Sequence, residues 1–410
     1  MRGKNGKEMK MKKLLFVINT LGGAGAETAL ISLLNELDEE KYDISLFVLT
    51  GQGELIHRIP KYVKLKNTQY DDCSVLSDEG KQVLKKNVLR AMFRHGSVIK
   101  NLPYLIKNLF AMIRKRKIYP DKLLWRVVSD GAEMLDEHFD LAVAYLEGGS
   151  AYYVMNHVQA DKKAVFIHID YIRAGYTRAL DKNCYTRFDK IFPVSEEVKQ
   201  QFLKVYPECK DRTETFFNIV NQEEIRRKSK LPGGFADEFD GIQILTVGRL
   251  TPQKAYDVSV EAMKRIKDRG VKARWYVLGE GEERKKLEEQ IERLGLQEDF
   301  ILVGAVSNPF PYYAQTDLYV HATRYEGKSI AIQEAQTLGC AILVSDCSGN
   351  REQVTDGVDG RMCALTPEAV CDTIVDMIEH EEERKKYGEN AAKKQFSYGH
   401  QIELLLSLMK

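Results

Sequence analysis

The sequence predicts an α/β chain made of two parallel-stranded βα halves, and three observations carry that reading. Short continuous apolar runs of strand length alternate with stretches of helical spacing along most of the chain. The alternation is interrupted at 221–240, a polar and charged stretch containing Pro232-Gly233-Gly234, and then starts afresh. Strand ends in both halves run into glycine-bearing or charged turns, the edge at which open parallel sheets bind ligands. With 410 residues and 44% hydrophobic composition, the chain is long for one core and sufficient for two.

In the first half, the apolar run 14–18 reads as a strand buried on both faces. It leads into a turn with Gly22, Gly23 and Gly25 and a helical pattern over 28–37. A dinucleotide fingerprint needs a third glycine where Thr28 stands, and there is no Walker lysine. The glycines, Gly23 among them, are therefore read as letting backbone approach a ligand or the opposite domain. A strand at 44–49 completes a first βαβ unit. Strands are expected again at 141–145, 164–168 and 191–195, with a helix from Glu196 and one more strand at 213–220. His168 falls at a strand's carboxyl end, either as a structural hydrogen bonder or as a ligand contact. Glu147-Gly148-Gly149-Ser150, at the end of the preceding strand, is a candidate for the same cleft.

Residues 81–117 depart from this series. They hold eleven Lys or Arg and no Asp or Glu, interleaved with large apolar residues such as Leu89, Phe93, Ile106, Phe110 and Ile113. A basic amphipathic insertion of this kind fits an anionic membrane surface. Its alternatives are a pair of core-facing helices with solvated basic backs, or a nucleic-acid contact.

In the second half, strands are expected at 242–247, 275–278, 300–303, 318–322 and 341–345. Arg249 leaves the first strand end and Lys254 precedes the next helix, so both cations can point at one diphosphate. Gly279 and Gly281 lie in the next strand-to-helix turn, where they would let a base or pyrophosphate approach. The stretch 325–334 reads as strand end, tight loop and helix start. Ser329 is the expected N-cap, which leaves the amides of Ile330, Ala331 and Ile332 unpaired and makes an anion site. Glu326 and Glu334 frame it. Glu334 cannot bind the phosphate that its own helix attracts, so hydroxyls are its partners. The layout suits a phosphorylated, hydroxyl-rich ligand such as a nucleotide sugar; the alternative is an ordinary solvated pair of glutamates.

Composition excludes several classes. A net charge of +1 does not fit a polyanion binder, so no nucleic-acid partner is expected. Seven cysteines without a C-x-x-C pair fit reduced thiols of a cytoplasmic protein. The basic start runs into 14–18, which Asn19 and Thr20 break too soon for a signal sequence, and no stretch is long enough to span a membrane. The expectation is a soluble or peripheral protein at the inner face of the plasma membrane.

With these residues in place, the second half resembles the nucleotide-sugar domain of the retaining glycosyltransferases of family 4, which have the GT-B fold. The family's two glutamates with seven residues between them stand here as Glu326 and Glu334, its phosphate-binding pair as Arg249 and Lys254, its glycine turn as Gly279 and Gly281. Its later Gly-x-x-Glu stands as Gly349 and Glu352; the first-domain glycine loop and strand-end histidine match Gly22 to Gly25 and His168. The resemblance implies two Rossmann-like domains facing each other across a cleft: an acceptor-side domain over 1–212, joined by a C-terminal helix at about 396–410, and a donor domain over 213–395. It implies that Glu334 binds the ribose hydroxyls and that Arg249 and Lys254 bind the diphosphate. Glu326 with Lys328, Ser329 and Ile330 would hold donor sugar and distal phosphate, and His168 would lie near that sugar. Lys328 and Ser329 replace the family's common Phe-Gly, and Ala255 its usual Gly. The implied activity is hexosyl or N-acetylhexosaminyl transfer from a uridine-diphosphate sugar to a lipid-linked or glycan acceptor of bacterial surface polysaccharide. No D-x-D triplet occurs, so no metal and no cofactor besides the donor is expected. A nucleotide-sugar epimerase of the same fold and a catalytically silent subunit are the alternatives.

Overall fold

Apolar runs that cannot face water on either side form the inner strands of a sheet covered on both faces, and the described residues contain twelve strands in two sheets. The structure, a computed structural model, describes residues 11–410 apart from Ala24, Leu76, Lys115, Lys117 and Arg173. The basic residues expected at 1–10, Ala24 of the glycine turn, and Lys115 and Lys117 of the basic segment lie outside the described residues. The chain divides into two units, one running to Phe217 and taking up Tyr398–Lys410, the other comprising Asn218–Ser397.

In the first unit β1 (Lys12–Ile18), β2 (Tyr42–Val48), β3 (Lys64–Leu65), β4 (His138–Ala144), β5 (Gln159–Ile167) and β6 (Lys190–Pro193) pair in the order β3-β2-β1-β4-β5-β6. Leu14, Leu15, Phe16, Val17 and Ile18 are fully buried. In the second unit β7 (Ile242–Val247), β8 (Ala273–Leu278), β9 (Phe300–Gly304), β10 (Leu318–His321), β11 (Ile342–Ser345) and β12 (Arg361–Cys363) pair as β12-β11-β10-β7-β8-β9. Both sheets are parallel and share one doubly wound topology. The strand order reverses between the first and fourth strands of each unit, which opens a crevice at their carboxyl ends. In the first unit it lies between β1 and β4, in the second between β7 and β10.

The expected strand at 213–220 is absent. Thr213 makes a single bridge to Ile191, and the amides of Glu214 and Phe216 donate to Ile191 and Pro193 at 3.0 and 2.9 Å. The chain thus lies along β6 for a few residues before Asn221 caps the helix Gln222–Lys228, its side chain accepting from the Glu224 amide at 2.8 Å. The polar stretch after it is therefore partly helical. β3 and β12, two and three residues long, give no periodicity to find in the sequence.

The basic segment forms helices Asp78–Phe93, Ser97–Lys100 and Leu102–Arg114. In the last of these, Tyr104, Asn108 and Met112 face inward, and Tyr104 and Met112 join Leu123 and Leu180 in a small core. The opposite face carries Leu102, Ile106, Leu109, Phe110 and Ile113, with Ile106 62% and Phe110 70% exposed. Phe93 and Ile99 stand out even further, at 73% and 78%. These apolar side chains turn away from the core, opposite to the core-facing alternative. Among the described residues no helix is long and apolar enough to cross a membrane.

Candidate functional site

The turns after β7 and β10 flank the crevice of the second unit, and the charged residues singled out in the sequence sit on them. The first turn passes through Arg249 and a short 3-10 helix, Pro252–Lys254, before Ala255 takes a left-handed conformation (φ 48°). That conformation is the physical reason a glycine would suit position 255. The two turns are stitched together. Gln253 Nε2 donates to the Tyr325 carbonyl at 2.9 Å, the Gln253 carbonyl accepts from Thr323 Oγ1 at 3.0 Å, and Arg324 makes a two-pronged contact with Asp257 at 2.7 and 3.0 Å.

This stitching places Lys254 on Glu326. The ammonium donates to Glu326 Oε2, with the two side chains only 17% and 13% exposed. His321, on the last residue of β10, completes the cluster: its Nε2 lies 3.1 Å from the same oxygen and 3.3 Å from Lys254 Nζ. Burial alone would raise the Glu326 carboxyl, but Lys254 and His321 outweigh it and hold the group well below the usual carboxylate range. Burial, followed by the Lys254 charge, pushes the His321 ring down, so it is neutral. Arg249 is exposed, and its guanidinium has no partner among the described residues.

The loop that follows is held by a residue the sequence gave no reason to select. The side-chain amide of Gln353 accepts from the Ser329 amide at 2.6 Å and donates to the Ser329 carbonyl at 2.8 Å. Gly349 lets this region approach, since a Cβ there would lie 2.0 Å from the Gly327 carbonyl oxygen. Ser329 is the N-cap of helix Ile330–Thr337 by position, and its side chain makes no capping bond. The Ser329 amide is thus taken by Gln353. Those of Ile330, Ala331 and Ile332 have no partner among the described residues, as an anion site requires. Lys328 lies beside them, its amine pushed down to about 8 by burial against the opposing influence of Glu352.

Glu334 is buried, and the Tyr313 hydroxyl donates to its Oε2 at 3.0 Å. Gly279 and Gly281 have a packing cause. A Cβ on Gly279 would fall 2.0 Å from the Gly248 carbonyl oxygen and one on Gly281 2.3 Å from that of Leu250, so the two glycines admit the turn that carries Arg249.

In the first unit, His168 and Glu147 come together as the sequence reading placed them. The Glu147 carboxylate accepts from the His168 amide at 3.0 Å, and burial raises its carboxyl. Burial pushes the His168 ring down to about 3, and its Nε2 has no partner among the described residues. The Gly23 amide donates to Glu54 Oε1 at 2.8 Å, so a side chain of the same unit occupies that donor. His321, Tyr313 and Gln353 are the residues sequence reasoning missed. One signal was available: His321 is the polar residue in an otherwise apolar strand, on the same face as Tyr319.

Residues 222–394 match the family model described as glycosyl transferases group 1. The match lies within the second unit and takes in most of it. The chain is 28% identical over 209 residues to the N-acetylgalactosamine-N,N'-diacetylbacillosaminyl-diphospho-undecaprenol 4-alpha-N-acetylgalactosaminyltransferase of Campylobacter jejuni, covering 50% of this chain and 55% of that one. It is 23% identical over 417 residues to the amylovoran biosynthesis glycosyltransferase AmsD of Erwinia amylovora, covering 96% and 98%. Two further curated relatives, uncharacterized glycosyltransferases of Methanocaldococcus jannaschii, are covered over 59% and 46% of their length, so the chain spans about half the length of several of the relatives it matches. The crystal structure of Anabaena HepE in complex with UDP-glucose superposes with a TM-score of 0.63 at 14% identity over 97% of each chain. At that identity the likeness is one of fold: two Rossmann-like α/β units of the GT-B class.

Proposed function

We propose that the protein is a retaining glycosyltransferase that moves a hexosyl or N-acetylhexosaminyl group from a uridine-diphosphate sugar to the hydroxyl of a lipid-linked glycan destined for surface polysaccharide. The observation that carries this reading is the crevice between β7 and β10. Lys254 pairs there with Glu326, Arg249 stands on the same turn as Lys254, and the loop through Lys328 leads into the helix that carries Glu334, whose first three amides have no partner among the described residues. Cations and amides recognise a diphosphate, and a buried carboxylate accepts from paired ribose hydroxyls. Donor cleavage builds negative charge on the departing diphosphate. Donors fixed at that point stabilise the transition state more than the bound donor. Arg249, Lys254 and the helix end replace a divalent metal in this account. The Campylobacter relative is named for a diphospho-undecaprenol acceptor and AmsD for amylovoran biosynthesis, which supports the acceptor class. The HepE complex supports uridine.

The exposed apolar face of helix Leu102–Arg114, flanked by Lys and Arg, fits this acceptor. It would dock the first unit on the cytoplasmic face of an anionic membrane, where a lipid-linked sugar emerges. The test is a panel of uridine, guanosine and adenosine diphosphate sugars, scored by thermal shift and by sugar transfer to a polyprenyl-diphosphate glycan, with and without chelator. A uridine donor should stabilise the protein and be consumed at equal rates in both conditions. Turnover of donor without any acceptor, or abolition by chelator, contradicts the proposal.

A further inference from the structure

His321 is 1% exposed at the end of a central strand, yet each of its ring nitrogens meets a polar group. Nδ1 lies 3.0 Å from the Tyr319 hydroxyl, and Nε2 lies 3.1 Å from Glu326 Oε2 and 3.3 Å from Lys254 Nζ. A carboxylate only accepts and an ammonium only donates, so Nε2 can serve one of these two neighbours. If Nε2 accepted from Lys254, its lone pair would also face the carboxylate oxygen. With the proton on Nε2, each group finds a role. The Tyr319 hydroxyl donates to Nδ1, Nε2–H donates to Oε2, and Lys254 donates to the same oxygen. A doubly protonated ring is opposed by burial and by the Lys254 charge.

Two donors thus converge on Oε2, and Oε1 has no partner among the described residues. The support continues beneath the site. The Tyr319 ring packs on Tyr313 at 5.2 Å, and the Tyr313 hydroxyl donates to Glu334, so both site carboxylates rest on one buried aromatic layer. The ion pair also poses a problem for binding, because Lys254 cannot serve a diphosphate at full strength while it is committed to Glu326. A neutral, fully buried donor has no such second demand on it.

We infer that His321 is a positioning residue of the donor site: it holds Glu326 in one orientation, with Oε1 presented to a hydroxyl of the donor's sugar, while Lys254 turns from Glu326 to the diphosphate. This rests on reading the crevice as a nucleotide-sugar site.

Three full-length variants test it. The side-chain amide of His321→Gln can still donate to Glu326, His321→Leu removes both bonds, and Tyr319→Phe removes only the bond to Nδ1. UDP binding is measured by calorimetry, and kcat and KM are measured with the uridine-diphosphate sugar that the native protein turns over in the panel above. His321→Leu should bind UDP within about 2-fold of native and lose roughly 10- to 100-fold in kcat, the scale for a disordered positioning contact. His321→Gln should recover most of that loss, and Tyr319→Phe should show a smaller fall of the same kind. Loss of UDP affinity in step with kcat, native kcat in the Leu variant, or a Gln variant no better than Leu overturns the inference. If His321→Leu does not fold, the Gln and Phe variants decide: unchanged kcat in Tyr319→Phe overturns it. Native protein that binds no UDP and turns over no donor overturns the site reading, and this inference with it. Native protein that binds UDP and tolerates His321→Leu overturns the inference alone.

Discussion

Replacing Lys254 by Met strips a largely buried carboxylate of its counter-charge. The cost follows from the surroundings of Glu326. Opposite charges in contact attract by about 4 kcal/mol at the effective dielectric of a protein surface, and removing one partner of a fully buried pair costs roughly 3–5 kcal/mol. Here both side chains keep some exposure and the His321 N–H remains on the carboxylate, so the loss should lie nearer 2–3 kcal/mol. Glu326→Gln removes the stranded charge. The double variant should therefore recover part of the loss, with a coupling energy of about 2 kcal/mol. The assay is urea unfolding followed by fluorescence in a Trp125→Phe background. Of the chain's two tryptophans this leaves Trp275, which is fully buried in the second unit. The pair also fixes an acid dependence. Glu326 titrates well below the ordinary value of 4.5, so its contribution is complete above that value and is lost as pH falls toward the folded-state value. In Lys254→Met that acid limb should shrink, leaving only what the His321 hydrogen bond supplies. A coupling energy under about 0.5 kcal/mol, within the range of independent sites, would refute the reasoning.

Further predictions concern binding. Lys328 loses its proton near pH 8, and a diphosphate favours the protonated form, so UDP affinity should fall as pH rises through 8. Lys328→Arg should flatten that profile, and an unchanged slope would mean that Lys328 does not face the ligand. Glu334→Ala should weaken UDP by about 1.5–3 kcal/mol, the range for hydrogen bonds to a charged group, with the fold intact by circular dichroism. Native protein should sediment with vesicles containing phosphatidylglycerol more than with neutral ones, and less at high salt. Joint replacement of Ile106 and Phe110 by Gln should release it; equal sedimentation would remove the membrane from the account.

Much of the fold was legible because continuous apolar runs and helical spacing are strong local signals. β7 runs over Ile242–Val247, as the sequence reading had it, and the other long strands differ by a few residues at their ends. The stretch at 213–220 misled because its alternation satisfies a strand pattern while its backbone finds only a short edge of β6 to pair with. The two carboxylates and two cations were identifiable from their positions at strand ends. Their mutual pairing was not, since it depends on Gln253 drawing one turn onto another 72 residues away. His321, Tyr313 and Gln353 escaped for the same reason, each acting through a partner brought near by the fold. The outward face of helix Leu102–Arg114 was half legible: charge segregation is a property of the sequence, but which apolar stripe meets the core is settled by packing.

Calorimetric titration of UDP into the native protein and into Arg249→Ala tests the central claim most directly. The replaced side chain is exposed and has no partner among the described residues, so the fold should not change. The account predicts one UDP per native chain and binding at least about 10-fold weaker in the variant, a loss of about 1.4 kcal/mol or more. Absence of UDP binding by the native protein, or equal affinity in the two, would contradict it.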